Sequence, residues 1–484
     1  MHRAPGLPGL PGLPALLVLV AGLAALAAPS SAQPRAGAAG ARPKNVVYFI
    51  TDGFGPASVT FARDYVQATE GRRTLFFDRY LTGTVRTWAT NSRVTDSAAG
   101  GTALATGHKS YNGAIAVDTA GAPVATILEG AERRGMRTGV VVTSRFTHAT
   151  PACFTAHVGS RASEDEIAAQ QIRSGADVMI GGGLRHFLPP DVAPGARRDG
   201  LNLLDSLRAR GYAVALTKAD YDRATRAPFA AFFAADHMAY EIDRDPAREP
   251  SLAEMTTKAL AMLRGSPNGF FLMVEASRID HAGHGNDAAA HLHDILAFEE
   301  AFRAAQAFAA RDGATLVVST SDHETGGLSL GRNVDGTGLY AWHPEAVARV
   351  RASHEAALPR LATAYGSDTT GTAALALVET TFGLADLSPA ERAAMVGAFR
   401  ARPAALPGLL TEAVGRRAIV GWTTNGHTAV DVNLYAFGPG ADRLTGNMDN
   451  DEVGRAVADL MRLDLPRLTA ELRARRPAAA GGGR

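Results

Sequence analysis

A single cysteine, Cys153, stands among 484 residues, so no intrachain disulfide can hold this fold. A chain of this length can do without one, because it buries a large core. An excess of charge is missing too. The 49 basic residues include Arg3, and with residues 1–32 set aside 48 of each sign remain. A balanced chain offers no polyanion-binding surface and no basic membrane face. Nothing therefore points to nucleic acid as a specific partner, and a small molecule is favoured. Past residue 32 no apolar run is long enough for a membrane span, and no internal repeat recurs.

The start of the chain differs from the rest. His2 and Arg3 precede the apolar stretch "ALLVLVAGLAALAA" (15–28), and "SSAQ" (30–33) follows with small residues. That is the layout of a secretory signal peptide, residues 1–32. The apolar core has 14 residues, where a membrane span needs about 20; an uncleaved N-terminal anchor is the rival reading. No cysteine lies near residue 32 to carry a lipid. An exported chain is expected, periplasmic or secreted, with no membrane attachment after the leader is removed. Residues 33–43 are rich in Ala, Gly and Pro and read as loose. Residues 466–484 read as a tail whose end, "RRPAAAGGGR", is disordered.

Between these ends, "NVVYFITDGFG" (45–55) sets a pattern: a continuous apolar strand, then Asp and Gly. Unbroken rather than alternating apolarity indicates a strand covered on both faces, as in a parallel sheet. The pattern returns at 137–151, 177–183, 269–284, 314–327 and 431–440, with helical patterns at 123–135, 163–174, 251–264 and 287–311. The expected architecture is α/β: a three-layer αβα sandwich with a large, mainly parallel central sheet. Residues 329–420 break the rhythm and read as an accessory helical and loop insertion within a catalytic domain of residues 44–465. In open α/β sheets ligands bind at the carboxyl ends of strands. Asp52, the 147–150 region, the 275–284 region and the 322–323 pair should thus converge on one sheet edge.

Several of those residues have the chemistry of metal ligands. In "IDHAGH" (279–284), Asp280 and His284 are four apart, and on a helix that places them on one face about 5–6 Å apart. In "SDHETGG" (321–327), Asp322 and His323 leave a strand together in a tight loop. "NGHTAVDV" (425–432) offers His427, though a lone histidine is commonly structural. "FTHATP" (146–151) offers His148 and Thr150, and Glu275 ends an apolar strand, where an unpaired charge is very costly. Arg161 suits bidentate capture of an oxyanion. In "TDSAAGGTALATGH" (95–108) Ser97 opens a run of Ala and Gly. It reads either as the N-cap of a small-residue helix or as a nucleophile with room behind it. Mixed imidazole and carboxylate ligands suit zinc; the oxygens of Asp, Glu and Thr suit a harder ion such as magnesium. Two zinc-like sites beside a serine describe phosphoryl or sulfuryl transfer through a covalent intermediate.

Seven segments taken together, "YFITDGFG", "TDSAAGGTALATGHKSYNGAIAVD", "THATPACFTAHVGSR", "DVMIGGGLRHF", "VEASRIDHAGH", "STSDHETGG" and "NGHTAVDVNLYAFGPG", resemble the alkaline phosphatase family. They run in the family's order over nearly the whole chain from about residue 44 to 465. The resemblance implies hydrolysis of small-molecule phosphate monoesters at alkaline pH, with Ser97 as the nucleophile that becomes phosphoserine. It implies that Asp280, His284 and His427 hold one Zn2+, that Asp322 and His323 hold a second, and that Asp52 bridges to a third site. His148, Thr150 and Glu275 complete that site, usually for Mg2+, and Arg161 clamps the phosphate. A homodimer is the common assembly. Two positions depart from the pattern of some members: His148 stands where they carry Asp, and His281 where they carry Lys. His148 brings no negative charge to the third site. His281 is either a secondary phosphate contact or an exposed neighbour of the ligand pair.

Two other classes remain in view. A phosphodiesterase or sulfatase of the same superfamily shares much of the ligand set; "DSAAGG" lacks the C/S-x-P-x-R context of a formylglycine sulfatase, and the third site favours a monoesterase. A non-catalytic exported binder of phosphate or zinc would keep the ligands but would not need Ser97.

Overall fold

The computed structural model describes residues 40–475, which belong to one compact unit. The leader, residues 33–39 and residues 476–484 lie outside the described residues. Residues 466–475, set apart above as tail, belong to a helix, Leu465–Arg475. Among the described residues no helix is long and apolar enough to cross a membrane.

Eight strands come first: β1 (Asn45–Ile50), β2 (Leu81–Arg86), β3 (Arg137–Arg145), β4 (Val178–Gly182), β5 (Ala213–Ala215), β6 (Phe229–Phe232), β7 (Phe270–Glu275) and β8 (Thr315–Thr320). Six short ones follow: β9 (Glu324–Thr325), β10 (Leu328–Leu330), β11 (Asn333–Val334), β12 (Thr337–Gly338), β13 (Val420–Trp422) and β14 (His427–Thr428). Then come β15 (Val432–Phe437) and β16 (Gly446–Asp449). Ten of them form one sheet in the order β16-β2-β15-β8-β1-β7-β3-β4-β6-β5. Only β15 runs antiparallel to its neighbours.

The continuous apolarity of β1 has a direct cause. Val47 and Phe49 face a core built with the Ala288–Asp312 and Leu252–Leu263 helices. Val46, Tyr48 and Ile50 face a second core with the Ser97–Thr106, Ile127–Arg133 and Asn450–Leu460 helices. A strand sealed on both sides has no wet face, so alternation disappears. With β7 and β8 parallel on either side of β1, three carboxyl ends open side by side. Reversal of β15 brings its amino end, and His427 just before it, to the same edge.

The insertion spans four longer helices, His354–Ser367, Thr372–Phe382, Pro389–Ala401 and Leu406–Ala418. It is stitched back to the body where β10 pairs with β13. It also meets the site edge: the His354 N–H donates to Asp287 Oδ2 (2.6 Å), Thr411 donates to the Asn286 carbonyl (3.1 Å), and Arg278 pairs with Glu355 (2.7 Å).

Candidate active site

Ser97 is residue one of its helix, not the cap. Asp96 is the cap, with extended backbone and a side chain that accepts from the Ala99 N–H at 2.9 Å. All ten residues of that helix are buried. The run of small residues permits close approach: a Cβ on Gly100 would fall 2.9 Å from the Asp322 carbonyl oxygen. Tight packing against the 322–323 loop is what brings Ser97 Oγ to 3.1 Å from His323 Nε2. The free N–H groups and positive end of a helix dipole lie here, which favours an anion.

Three clusters of ligand-capable atoms surround this start. In the first, His427 Nε2 lies 3.1 Å from His284 Nε2, and Asp280 Oδ1 is 3.4 Å from the His284 nitrogen and 3.6 Å from that of His427. Both rings place Nδ1 on a backbone carbonyl, of Asn425 (2.6 Å) and of Thr95 (2.8 Å). Each Nδ1 therefore carries the proton, and two Nε2 lone pairs face each other and a carboxylate. Ligands at about 2.0–2.1 Å around a tetrahedral ion stand about 3.3 Å apart. The cluster has that spacing.

The second cluster gathers Asp322 Oδ2 at 3.4 Å and Asp52 Oδ1 at 3.5 Å around His323 Nε2. The third joins Asp52, His148 and Glu275, with Asp52 Oδ2 at 3.9 Å from His148 Nδ1. Both Asp52 oxygens, Asp322 Oδ2, Glu275 Oε1, His148 Nδ1 and Thr150 Oγ1 are buried with no hydrogen-bond partner of ordinary geometry. Leaving such atoms unmet is expensive.

Electrostatics record the same deficit. Burial, followed by repulsion from Asp322, Asp280 and Glu275, holds the Asp52 carboxyl far above the usual carboxylate range. Burial pushes Glu275 up to about 8, and burial with the nearby Asp280 pushes Asp322 up to about 7. Burial first, and then Arg161 for His148, His237 for His281 and His427 for His323, hold all three imidazoles well below the usual histidine range. Carboxyls that resist ionising and imidazoles that resist protonation share one need, a cation among them.

Arg161 spans the rim: Nη1 donates to Asp96 Oδ2 (3.1 Å) and Nη2 to His148 Nε2 (3.0 Å). His281 is half-buried rather than exposed, its ring 5.2 Å from that of His148 and 4.1 Å from that of His237, with Nδ1 buried and unpartnered. Every residue singled out from the sequence thus lies at this edge. Three neighbours were not singled out. Asp96 is visible in the sequence as an Asp before a helix, where Ser97 beside it is the more conspicuous candidate. His237 follows β6, a strand too short and alanine-rich to stand out. Thr325 carries no signal in the sequence beyond its place in a tight loop.

A hydroxyl at a helix start, hemmed in by donor sets that only cations satisfy, is the equipment of a metal-dependent hydrolase. The chain belongs to the alkaline phosphatase family, whose profile matches residues 43–463. An alkaline phosphatase of Schizosaccharomyces pombe is 39% identical over 453 residues, 89% of this chain and 84% of that protein. The Thermus thermophilus alkaline phosphatase structure superposes with a TM-score of 0.78 at 32% identity, over 92% of this chain and 97% of the other. A variant of the TAB5 alkaline phosphatase, with Asp in place of a His and Mg in its M3 site, gives 0.64 at 26% identity, over 88% and 99%. The protein is a phosphomonoesterase.

Proposed function

We propose that the protein hydrolyses phosphate monoesters through a phosphoserine at Ser97, with two zinc ions and one magnesium ion. The observation that carries this reading is Ser97 Oγ at 3.1 Å from His323 Nε2, at the start of a buried helix beside the unmet donors. Asp280, His284 and His427 would hold the first zinc, and Asp322 and His323 the second. Asp52 would bridge to a magnesium site completed by His148, Thr150 and Glu275. When bound, such ions lower the pKa of a hydroxyl or a water and neutralise a departing oxygen. Ser97 Oγ attacks phosphorus as the ester oxygen leaves from the opposite side; water then displaces Ser97 in line and frees phosphate. Arg161 turns its two N–H arms to the non-bridging oxygens, held in reach by Asp96. His281 makes a secondary phosphate contact.

Purified protein is expected to carry two zinc ions and one magnesium ion per chain and to favour p-nitrophenyl phosphate over bis-p-nitrophenyl phosphate, at a rate that rises above neutral pH. A preference for the diester, or a rate maximum near pH ~5, would overturn the reading. We read the mature chain as exported, free of the membrane and dimeric; Leu339 and Tyr340 of the insertion are exposed apolar surface that a second copy would cover.

The third site carries its own prediction. Because Arg161 donates to His148 Nε2, the ring proton sits on Nδ1, the nitrogen nearest Asp52. For Nδ1 to bind magnesium that proton must move to Nε2 and the Arg161 bond must break, and the neutral ring still brings no charge. Replacing His148 with Asp should tighten magnesium binding by about tenfold, a scale typical of ligand-shell changes, read by titrating magnesium against activity. The TAB5 variant with bound magnesium is the parallel. Unchanged or weaker binding in His148→Asp would count against the site.

A further inference from the structure

Thr325 is in none of the three ligand clusters, yet it touches members of two. Its side chain is fully buried. Its Oγ1 lies 2.5 Å from Asp280 Oδ1 and 3.2 Å from His323 Nδ1. Its N–H donates to the Gly53 carbonyl (3.2 Å), one residue beyond Asp52. In the β9–β14 pair it stands opposite His427. Four stretches of chain that are distant in sequence therefore meet at one threonine.

Glycines make this crossing feasible. A Cβ on Gly53 would fall 2.8 Å from Thr325 Oγ1, and one on Gly283 would fall 3.0 Å from the Thr325 Cβ. Glu324 anchors the same turn, accepting from the Gly327 N–H (2.9 Å) and from the Thr428 hydroxyl.

A proton count gives the hydroxyl its role. A carboxylate oxygen that binds metal can only accept, so the Thr325 O–H points to Asp280 Oδ1. The threonine oxygen then has only lone pairs for His323, and His323 Nδ1 must carry the ring proton. Nε2 is left bare, facing Asp52, Asp322 and Ser97. His284 and His427 have the same tautomer set by backbone carbonyls, which no substitution removes. His323 depends on a side chain, and that side chain also orients a ligand of the other centre.

We propose that Thr325 is a positioning residue that fixes the metal-binding tautomer of His323 and the orientation of Asp280 together, so that the two zinc sites gain or lose affinity jointly. This rests on the zinc assignment above. Thr325→Val keeps the shape and removes the hydroxyl; Thr325→Ser keeps the hydroxyl. In competition with a chromogenic zinc chelator, Thr325→Val should weaken both zinc-binding steps by about 10–100-fold, the scale seen for outer-shell partners, and Thr325→Ser should restore them. At saturating zinc, kcat of the valine variant should return close to wild type while its zinc-dependence curve stays displaced. Wild-type zinc affinity in Thr325→Val, loss at one site alone, or failure of serine to restore binding overturns the proposal. Should the valine variant not fold, 15N NMR of the metal-free wild type decides: a proton on His323 Nδ1 supports it, and a proton on Nε2 refutes it. If the wild type itself binds fewer than two zinc ions, the zinc assignment falls and this inference with it. Two zinc ions indifferent to Thr325 sink this inference alone.

Discussion

Ser97→Ala is expected to abolish acid-stable phosphate labelling of the chain and to lower kcat by at least about a thousandfold, the scale on which lost nucleophiles are felt. The same variant should fold and keep its metals. The helix cap is Asp96, so no capping interaction is lost, where removing a true cap costs about 1 kcal/mol. Alanine is the best helix former, and here it joins a run of Ala and Gly that already packs closely. The only hydrogen bond given up is the one to His323 Nε2. The melting temperature should therefore stay close to wild type while activity collapses, which separates chemistry from folding. Some activity should persist, because water can still reach phosphorus without a serine intermediate. Activity near the wild-type level in Ser97→Ala would show that Ser97 is not the nucleophile.

Much of this site was readable in the chain because its physics is local. Strands sealed on both faces must be apolar throughout, so an Asp, Glu or His at their carboxyl ends stands out, as do Asp52, Glu275, Asp322 and His323. The helical periods at 123–135, 163–174 and 251–264 each contain an observed helix, and that at 287–311 stops one residue short of one ending at Asp312. Four strands of the sheet were not read. β2 and β16 lie toward one edge and are largely half-exposed or exposed, while β5 and β6 have three and four residues, too few for a pattern. The choice between cap and nucleophile at Ser97 could not be made from spacing, since Asp96 and Ser97 are both good caps. Only the helix start settled which of them has extended backbone. Thr325 and His237 escaped for a related reason: their importance lies in what they touch across long sequence separations.

Stripping the metals should abolish activity and should also leave a pH signature on stability that the loaded protein lacks. The carboxyls of Glu275 and Asp322, held up at about 8 and about 7 by burial, take up protons in the metal-free fold that the unfolded chain has already shed. A folded-state pKa raised in this way stabilises below the unfolded value and is lost as pH climbs through the folded one. Each such group costs the metal-free protein about 1.4 kcal/mol per pH unit across its window. The buried histidines act in the opposite sense, since His148 and His323 stay neutral in the fold and protonate only on unfolding, but they do so below about pH 6.5. Between about pH 6.5 and 8 the histidines drop out, and Glu275 and Asp322 by themselves should take about 2 kcal/mol from the metal-free chain, with the raised Asp52 carboxyl adding to the loss. Bound cations ionise the same carboxyls and remove the penalty, so the gap in melting temperature between loaded and stripped protein should widen as pH rises. Zinc with magnesium should restore both activity and stability. A gap that is constant or narrows over this range, or activity that survives exhaustive chelation, would mean that these buried carboxyls are not waiting for metal.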